Sequence, residues 1–225
     1  MTRATPAVPG MLDLFAEAYR LRLMRGLEEW LAGCGYCRVA GVDEAGRGSL
    51  AGPVVAAAVI VNPFCSVPGV DDSKALTAAE RERMAAAIRA TAVASAVVAV
   101  PADVIDRINI LEATRRAMCQ AVAALKPEPD CLVVDAVALS GFRFPCLPLI
   151  RGDAVSYGVA CASILAKTER DRMMSELDRE YPAYGFALHK GYGVPEHLQA
   201  LETYGPCPVH RLTYKPVLPR VEARG

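Results

Sequence analysis

The sequence has no excess charge of either sign: 25 Lys and Arg balance 25 Asp and Glu. That excludes attraction of polyanions by the protein as a whole. Any nucleic-acid site must be a local basic patch, or an acidic site made cationic by metal. No uncharged apolar run reaches membrane-spanning length, and no hydrophobic signal sequence opens the chain. No internal repeat or linker interrupts it. The eight cysteines are scattered through apolar segments (Cys119, Cys131, Cys161) and form no compact framework of the secreted type. A reducing cytoplasm is the expected location. Cys34 and Cys37 make one C-x-x-C, but no second pair exists to complete a zinc site. The pair also lies in a Gly-rich turn before a strand, away from the strand–helix junction of a redox motif.

What is present fits one domain of ordinary size. The 225 residues are 53% hydrophobic, with much alanine and valine, enough to bury a sizeable core. Arginine far outnumbers lysine, which favours bidentate contacts to phosphate or carboxylate, although genome composition gives the same bias. Apolar positions at helical spacing (Leu14, Tyr19, Leu23, Leu27, Trp30) predict one amphipathic helix over residues 12–31, stopped by Gly33 and Gly35. Strands are expected at 38–42, 53–61, 94–100, 131–135 and 147–150. Thr77 and Glu80 form a capping box ahead of a helix to about Ala92. Further helices are expected at 109–125, from Asp153 to about Glu180, and near 195–204. Three strands followed by alternating helices and strands indicate an α/β or mixed-sheet domain with helices on its faces.

Acidic residues recur at the ends of these elements. Asp43 and Glu44 stand where a buried strand meets a glycine turn, Asp135 ends a second buried strand, and Asp153 starts a helix. Such ends converge at one edge of an α/β sheet, where sites of this class form. Gathered carboxylates repel one another and raise their own pKa values. A hard divalent ion, Mg²⁺ or Mn²⁺, resolves that and leaves room for phosphate. Two such ions ~3.5–4 Å apart can activate water and stabilise a leaving oxygen. Each residue also has a plain structural reading. Asp43–Glu44 can solvate a turn, Asp135 can cap a strand end, and Asp153 can be a helix N-cap.

The turn Gly46-Arg47-Gly48-Ser49-Leu50-Ala51 formally matches a dinucleotide fingerprint, with Asp71 roughly 20 residues on. That motif must open a helix, whereas Gly52-Pro53 and a β-branched run follow here. Two carboxylates before the turn would also repel a pyrophosphate. The match is rejected.

Longer stretches carry a more specific pattern. Val42-Asp43-Glu44-Ala45-Gly46-Arg47-Gly48, continuing through Leu50-Ala51-Gly52-Pro53-Val54-Val55, resembles the signature of bacterial ribonuclease HII. Asp71-Asp72-Ser73-Lys74 is similar to that family's D-S-K segment. Asn109-Ile110, Ala113-Thr114 and Ala117-Met118 resemble one of its helices. Val133-Val134-Asp135 and Gly152-Asp153 resemble its third and fourth acidic motifs. Ala162 to Lys167 with Arg170-Asp171-Arg172 matches its long helix, and His189-Lys190-Gly191-Tyr192-Gly193 and His210-Arg211 match its closing motifs. The resemblance is collinear from about Val39 to Val217.

It implies a ribonuclease H-like mixed sheet flanked by helices with a C-terminal helical and loop extension. The implied division is an N-terminal helical extension (1–37), a catalytic core (38–180) and a substrate-binding extension (181–225) within one domain. The implied activity is an endonuclease acting on RNA in RNA–DNA hybrids and on single ribonucleotides in duplex DNA. It would cut 5′ of the ribonucleotide to leave 3′-hydroxyl and 5′-phosphate ends. Asp43, Glu44, Asp135 and Asp153 are implied as catalytic carboxylates holding two Mn²⁺ or Mg²⁺ ions, with Asp43 bridging both. Gly46-Arg47-Gly48 is implied to grip the ribose, whose 2′-hydroxyl alone separates RNA from DNA, and Tyr192 to pack on the next sugar. A core tyrosine is the plain alternative for Tyr192. Ser73, Lys74, Lys190 and Arg211 are candidate phosphate contacts, or solvated surface.

The last 40 residues hold all three histidines and several basic residues against few acids, which supplies the local basic patch. Nothing demands a dimer, so a monomer is expected, and no replication or repair recruiter is identifiable. Departures from the family pattern are Ala136 for glycine, Arg151 for lysine, Ser49 for proline and Cys161 for alanine. A hybrid-binding protein with decayed catalysis is therefore a second hypothesis. The sister family, ribonuclease HIII, usually adds a sizeable N-terminal domain for which residues 1–37 are too few. A C-x-x-C oxidoreductase comes last.

Overall fold

The computed structural model describes residues 10–70 and 76–217. The chain opens with two helices, α1 (Met11–Met24) and α2 (Gly26–Gly33), where one was expected. The break falls at buried Arg25, whose guanidinium donates to the Asn62 and Cys65 carbonyls and to Ser66 Oγ. Gly26, a poor residue for a helix interior, follows. The apolar stripe expected to face the core instead faces solvent at Leu14, Tyr19, Leu23 and Trp30, while Leu21, Met24 and Leu31 are buried.

The sheet is mixed, with five strands among the described residues. These are β1 (Val39–Ala45), β2 (Val54–Ile60), β3 (Ala94–Val100), β4 (Cys131–Asp135) and β5 (Cys146–Leu149), in the order β3-β2-β1-β4-β5. β1–β2 and β2–β3 are antiparallel, whereas β1–β4 and β4–β5 are parallel. Helix α3 (Ala78–Thr91) starts at the Thr77–Glu80 capping box. A short helix not foreseen, α4 (Ala102–Ile108), precedes α5 (Ile110–Ala124), and Asn109 separates them at φ +65° while its side chain caps α5.

Alternation along the strands divides the core between two faces. Ala40, Val42, Ala56, Ala58, Leu132 and Val134 pack with Ala113, Ala117, Met118 and Ala121 of α5. On the other face Ala57 and Val59 meet Ala160, Cys161, Ile164 and Leu165, residues of the longest helix. That helix does not begin at Asp153. The segment splits into α6 (Gly152–Val155) and α7 (Tyr157–Glu180) around extended Ser156. Ser156 Oγ accepts from the Val159 amide and donates to buried Glu28 Oε1, which also accepts from the Gly158 amide. A Cβ on Gly41 would lie 2.0 Å from the Gly158 carbonyl carbon. Glycine therefore lets α7 cross directly on β1.

The C-terminal part adds a 3₁₀ turn (Pro182–Tyr184), α8 (Phe186–His189) and α9 (Pro195–Tyr204). Tyr184, Phe186, Leu201 and Val217 pack with Leu50, Ala51 and Met174. No helix among the described residues is long and apolar enough to cross a membrane.

Candidate active site

The parallel pairing of β1 with β4 runs from Val39↔Cys131 to Val42↔Val134. Asp43 and Asp135 are the next residues in that register, abreast on adjacent strands, which lie ~4.8 Å apart. The strand does not end at the acidic pair, where the sequence placed its end. β1 continues through Glu44 to Ala45, still paired with β2. Alternation turns Asp43 and Asp135 to the α7 face and Glu44 to the other, so the adjacent pair does not lie side by side.

Hydrogen bonds fix these orientations. Asp43 is only 5% exposed, accepts from the Glu44 amide at 2.7 Å and is bonded by the Ser163 hydroxyl of α7. Asp135 Oδ1 accepts from the Gly152 amide at 2.7 Å, bringing α6 against the end of β4. Asp153, half-buried, is the next residue of α6. It is not an N-cap, since Arg151 and Ser156 hold those positions. Neither do Asp43 and Glu44 solvate a turn.

Burial, then the Glu44 and Asp135 charges, push the Asp43 carboxyl well above the usual range. Glu44 is raised by burial and by Asp135, against its 3.3 Å ion pair with Arg47. Glu44 Oε2 is buried with no hydrogen-bond partner. Hard oxygen donors, mutual repulsion and an orphaned carboxylate oxygen are the chemistry that suits a hard divalent cation. As the side chains stand, no three Asp, Glu, His or Cys among the described residues are arranged to hold a metal ion.

Three of the four non-glycine residues at positive φ among the described residues lie beside these groups or in the closing loop: Ala136 (+50°), Arg151 (+58°) and Lys190 (+53°). Backbone strain of this kind gathers at functional sites. Ala136 adopts the left-handed conformation that its Cβ disfavours, its amide donating to the Leu149 carbonyl.

The glycine turn is held from beneath by two fully buried arginines. Arg211 donates to the carbonyls of Gly46 (2.7 Å), Arg47 (2.8 Å) and Gly52 (3.0 Å). It is an internal clamp, which corrects its reading as a surface phosphate contact. Arg170 of α7 bonds the Pro53, Ala51 and Lys190 carbonyls and Ser49 Oγ, and lies 5.4 Å from the Tyr192 ring centre. Gly46 is required by Arg170, since a Cβ there would come 1.9 Å from Arg170 Nε. Gly48 is exposed and a Cβ on it would meet open space, whereas Gly46 is buried.

Tyr192 is 39% exposed, not a core tyrosine. Lys190 is half-buried, its Nζ donating to Ser175 Oγ, in a cleft of about 290 Å³ shared with Arg81, Arg172 and Arg179. Ser73 and Lys74 lie outside the described residues. Cys34 and Cys37 are exposed free thiols. Sequence reasoning missed Arg170, Ser163 and Ser49 as parts of the site. For Arg170 and Ser163 the available signal was a charged or hydroxyl residue on the buried stripe of α7, between Ala162 and Met174; Ser49, in the glycine turn, carried none.

The family model for ribonuclease HII matches residues 40–217. Ribonuclease HII of Geobacillus kaustophilus is 55% identical over 87% of this chain and 74% of its own. That of Ruminiclostridium cellulolyticum is 46% identical over 88% of this chain and 78% of its own. Among solved structures, ribonuclease H2 from Pyrococcus horikoshii superposes with a TM-score of 0.69 at 26% identity, covering 80% of this chain and 95% of that one.

Proposed function

The chain belongs to the ribonuclease HII family, and from that premise we propose an endonuclease that hydrolyses RNA paired to DNA and cuts at single ribonucleotides in duplex DNA. Cleavage falls 5′ of the ribonucleotide and leaves 3′-hydroxyl and 5′-phosphate ends. The observation that carries this reading is the pair Asp43 and Asp135, abreast on two buried parallel strands, with the orphaned Oε2 of Glu44 on the residue next to Asp43.

Asp43, Glu44, Asp135 and Asp153 would hold Mn²⁺ or Mg²⁺, with Asp43 central because it feels both neighbouring carboxylates. When bound, one or two such ions supply an activated water and positive charge for the leaving 3′ oxygen. The chain's own residues do the rest. Ser163 and the Glu44 amide orient Asp43, and the Gly152 amide orients Asp135. The open backbone at Gly48, with Arg47 beside it, reads the ribose 2′-hydroxyl. Tyr192 packs on the next sugar, and Lys190 faces the phosphates along α7. Residues 181–225 act as the substrate-binding extension of a single domain.

Cleavage and binding of a uniform RNA–DNA hybrid, measured for wild type, Asp43→Asn and Asp135→Asn, test this assignment. The expected loss is about 10³-fold in rate, equivalent to several kcal/mol of transition-state stabilisation, with hybrid binding kept. Near-normal cutting by either variant rejects the assignment. Binding without cutting by the wild type favours the decayed hybrid-binding reading that Ala136 raised.

A further inference from the structure

The chain has three histidines, His189, His197 and His210, and all three meet beneath Tyr192. The Cys207 backbone amide, which can only donate, lies 3.0 Å from His210 Nδ1. His210 Nδ1 is then an acceptor and its proton sits on Nε2, facing His197 Nε2 at 3.0 Å. His197 Nε2 accepts, so its proton is on Nδ1, 2.9 Å from the Tyr192 carbonyl. One choice of neutral tautomers satisfies all three bonds in a single direction. Cys207 Sγ and the Cys207 carbonyl also lie near His210 Nδ1, at 3.1 and 3.3 Å, and the amide contact is the shortest of the three.

His189 completes the cluster. Its ring stacks on His197 at 4.5 Å and 15°, its Nδ1 accepts from the Gly191 amide, and its Nε2 bonds the Tyr184 carbonyl. The segment so gripped needs holding, because Lys190 and Gly191 both have positive φ. It is also joined to the ribose-reading turn, since the Leu50 amide donates to the Gly191 carbonyl at 2.8 Å.

We propose that His197, backed by His210, is a positioning residue that sets the placement of the Tyr192 ring relative to Gly46-Arg47-Gly48, and thereby the enzyme's choice among ribonucleotide-containing substrates. This rests on the reading of Tyr192 as a sugar contact. His197 touches no reacting atom and acts only through the Tyr192 backbone. Burial holds His197 below its ordinary pKa and His210 at about 4, so both rings are neutral at physiological pH and the tautomer chain stays intact.

Two substitutions separate positioning from packing. His197→Asn keeps a donor close to the Nδ1 position and loses the ring; His197→Phe keeps a ring against His189 and Phe186 and loses the donor. The quantity measured is kcat/KM on a duplex with one ribonucleotide divided by kcat/KM on a uniform RNA–DNA hybrid. The expected result is that Phe shifts this ratio about tenfold, the worth of one buried hydrogen bond, while Asn stays near wild type. In a Tyr192→Ala background, Phe should add no further shift. If Asn shifts the ratio as much as Phe, or Phe leaves it unchanged, the proposal fails. Should both His197 variants misfold, His210→Gln, which keeps a donor near Nε2, against His210→Leu tests the same order. A wild type that cuts both substrates while Tyr192→Ala leaves the ratio unchanged rejects the Tyr192 reading itself, a result distinct from failure at His197.

Discussion

Ala136 pays for its position: an alanine at φ +50° sits where Cβ crowds its own backbone. Ala136→Gly should stabilise the protein by about 1 kcal/mol. For a chain of this length that is a Tm rise of roughly 2–4 °C by thermal melt. A lower Tm would show that the strain is absorbed elsewhere. Arg211 offers a sharper contrast. As a buried internal clamp bonded to carbonyls and to the Tyr214 hydroxyl, it should contribute no counterion release. Arg211→Lys is expected to weaken hybrid binding while leaving the slope of log K against log salt unchanged. A surface phosphate contact would lose about one unit of slope. At this scale the sequence pointed to the carboxylates but not to the residues that support them. Asp43, Asp135 and Glu44 stand out because charge at the end of an apolar strand is conspicuous. Arg170 and Arg211 were hidden, since no local pattern separates an arginine that turns inward from one that meets solvent.

Most elements followed from local chemistry. The Thr77–Glu80 box set the start of α3, and the alternating or β-branched runs located β2, β3 and β4 closely. What was not legible were interruptions imposed from far along the chain. The α6–α7 break depends on Ser156 meeting Glu28, a partner more than 100 residues away in sequence. The α1–α2 break depends on Arg25 reaching the loop after β2. The end of β1 was drawn too early for a related reason: pairing with β2 carries the strand past Asp43 although pairing with β4 has stopped. Ser156→Ala removes both the cap of α7 and a donor to buried Glu28. It is expected to destabilise by about 2 kcal/mol, the upper end for a lost cap, measured by urea unfolding. A loss no larger than that of an exposed cap such as Thr77→Ala would indicate that Glu28 does not depend on Ser156.

For the whole molecule, the carboxylate site sets stability against function. Burial and mutual repulsion raise Asp43 and Glu44 above their ordinary range, so the native state takes up protons more readily than the unfolded chain. The metal-free protein should therefore gain stability as pH falls from those raised values toward the ordinary carboxylate range, and lose it as pH rises. In excess chelator at neutral pH, Asp43→Asn is expected to melt above wild type, and added Mn²⁺ should close or reverse that gap by stabilising wild type alone. A variant that melts below wild type without metal would contradict the electrostatic account.

The most direct test of the central claim is to map the product ends from a DNA duplex carrying one ribonucleotide. The account predicts a single incision 5′ of the ribonucleotide, leaving 3′-hydroxyl and 5′-phosphate. The incision should require Mg²⁺ or Mn²⁺, stop in excess chelator and be lost in Asp43→Asn. Incision that persists in chelator or in Asp43→Asn, or that leaves a 3′-phosphate, would contradict it.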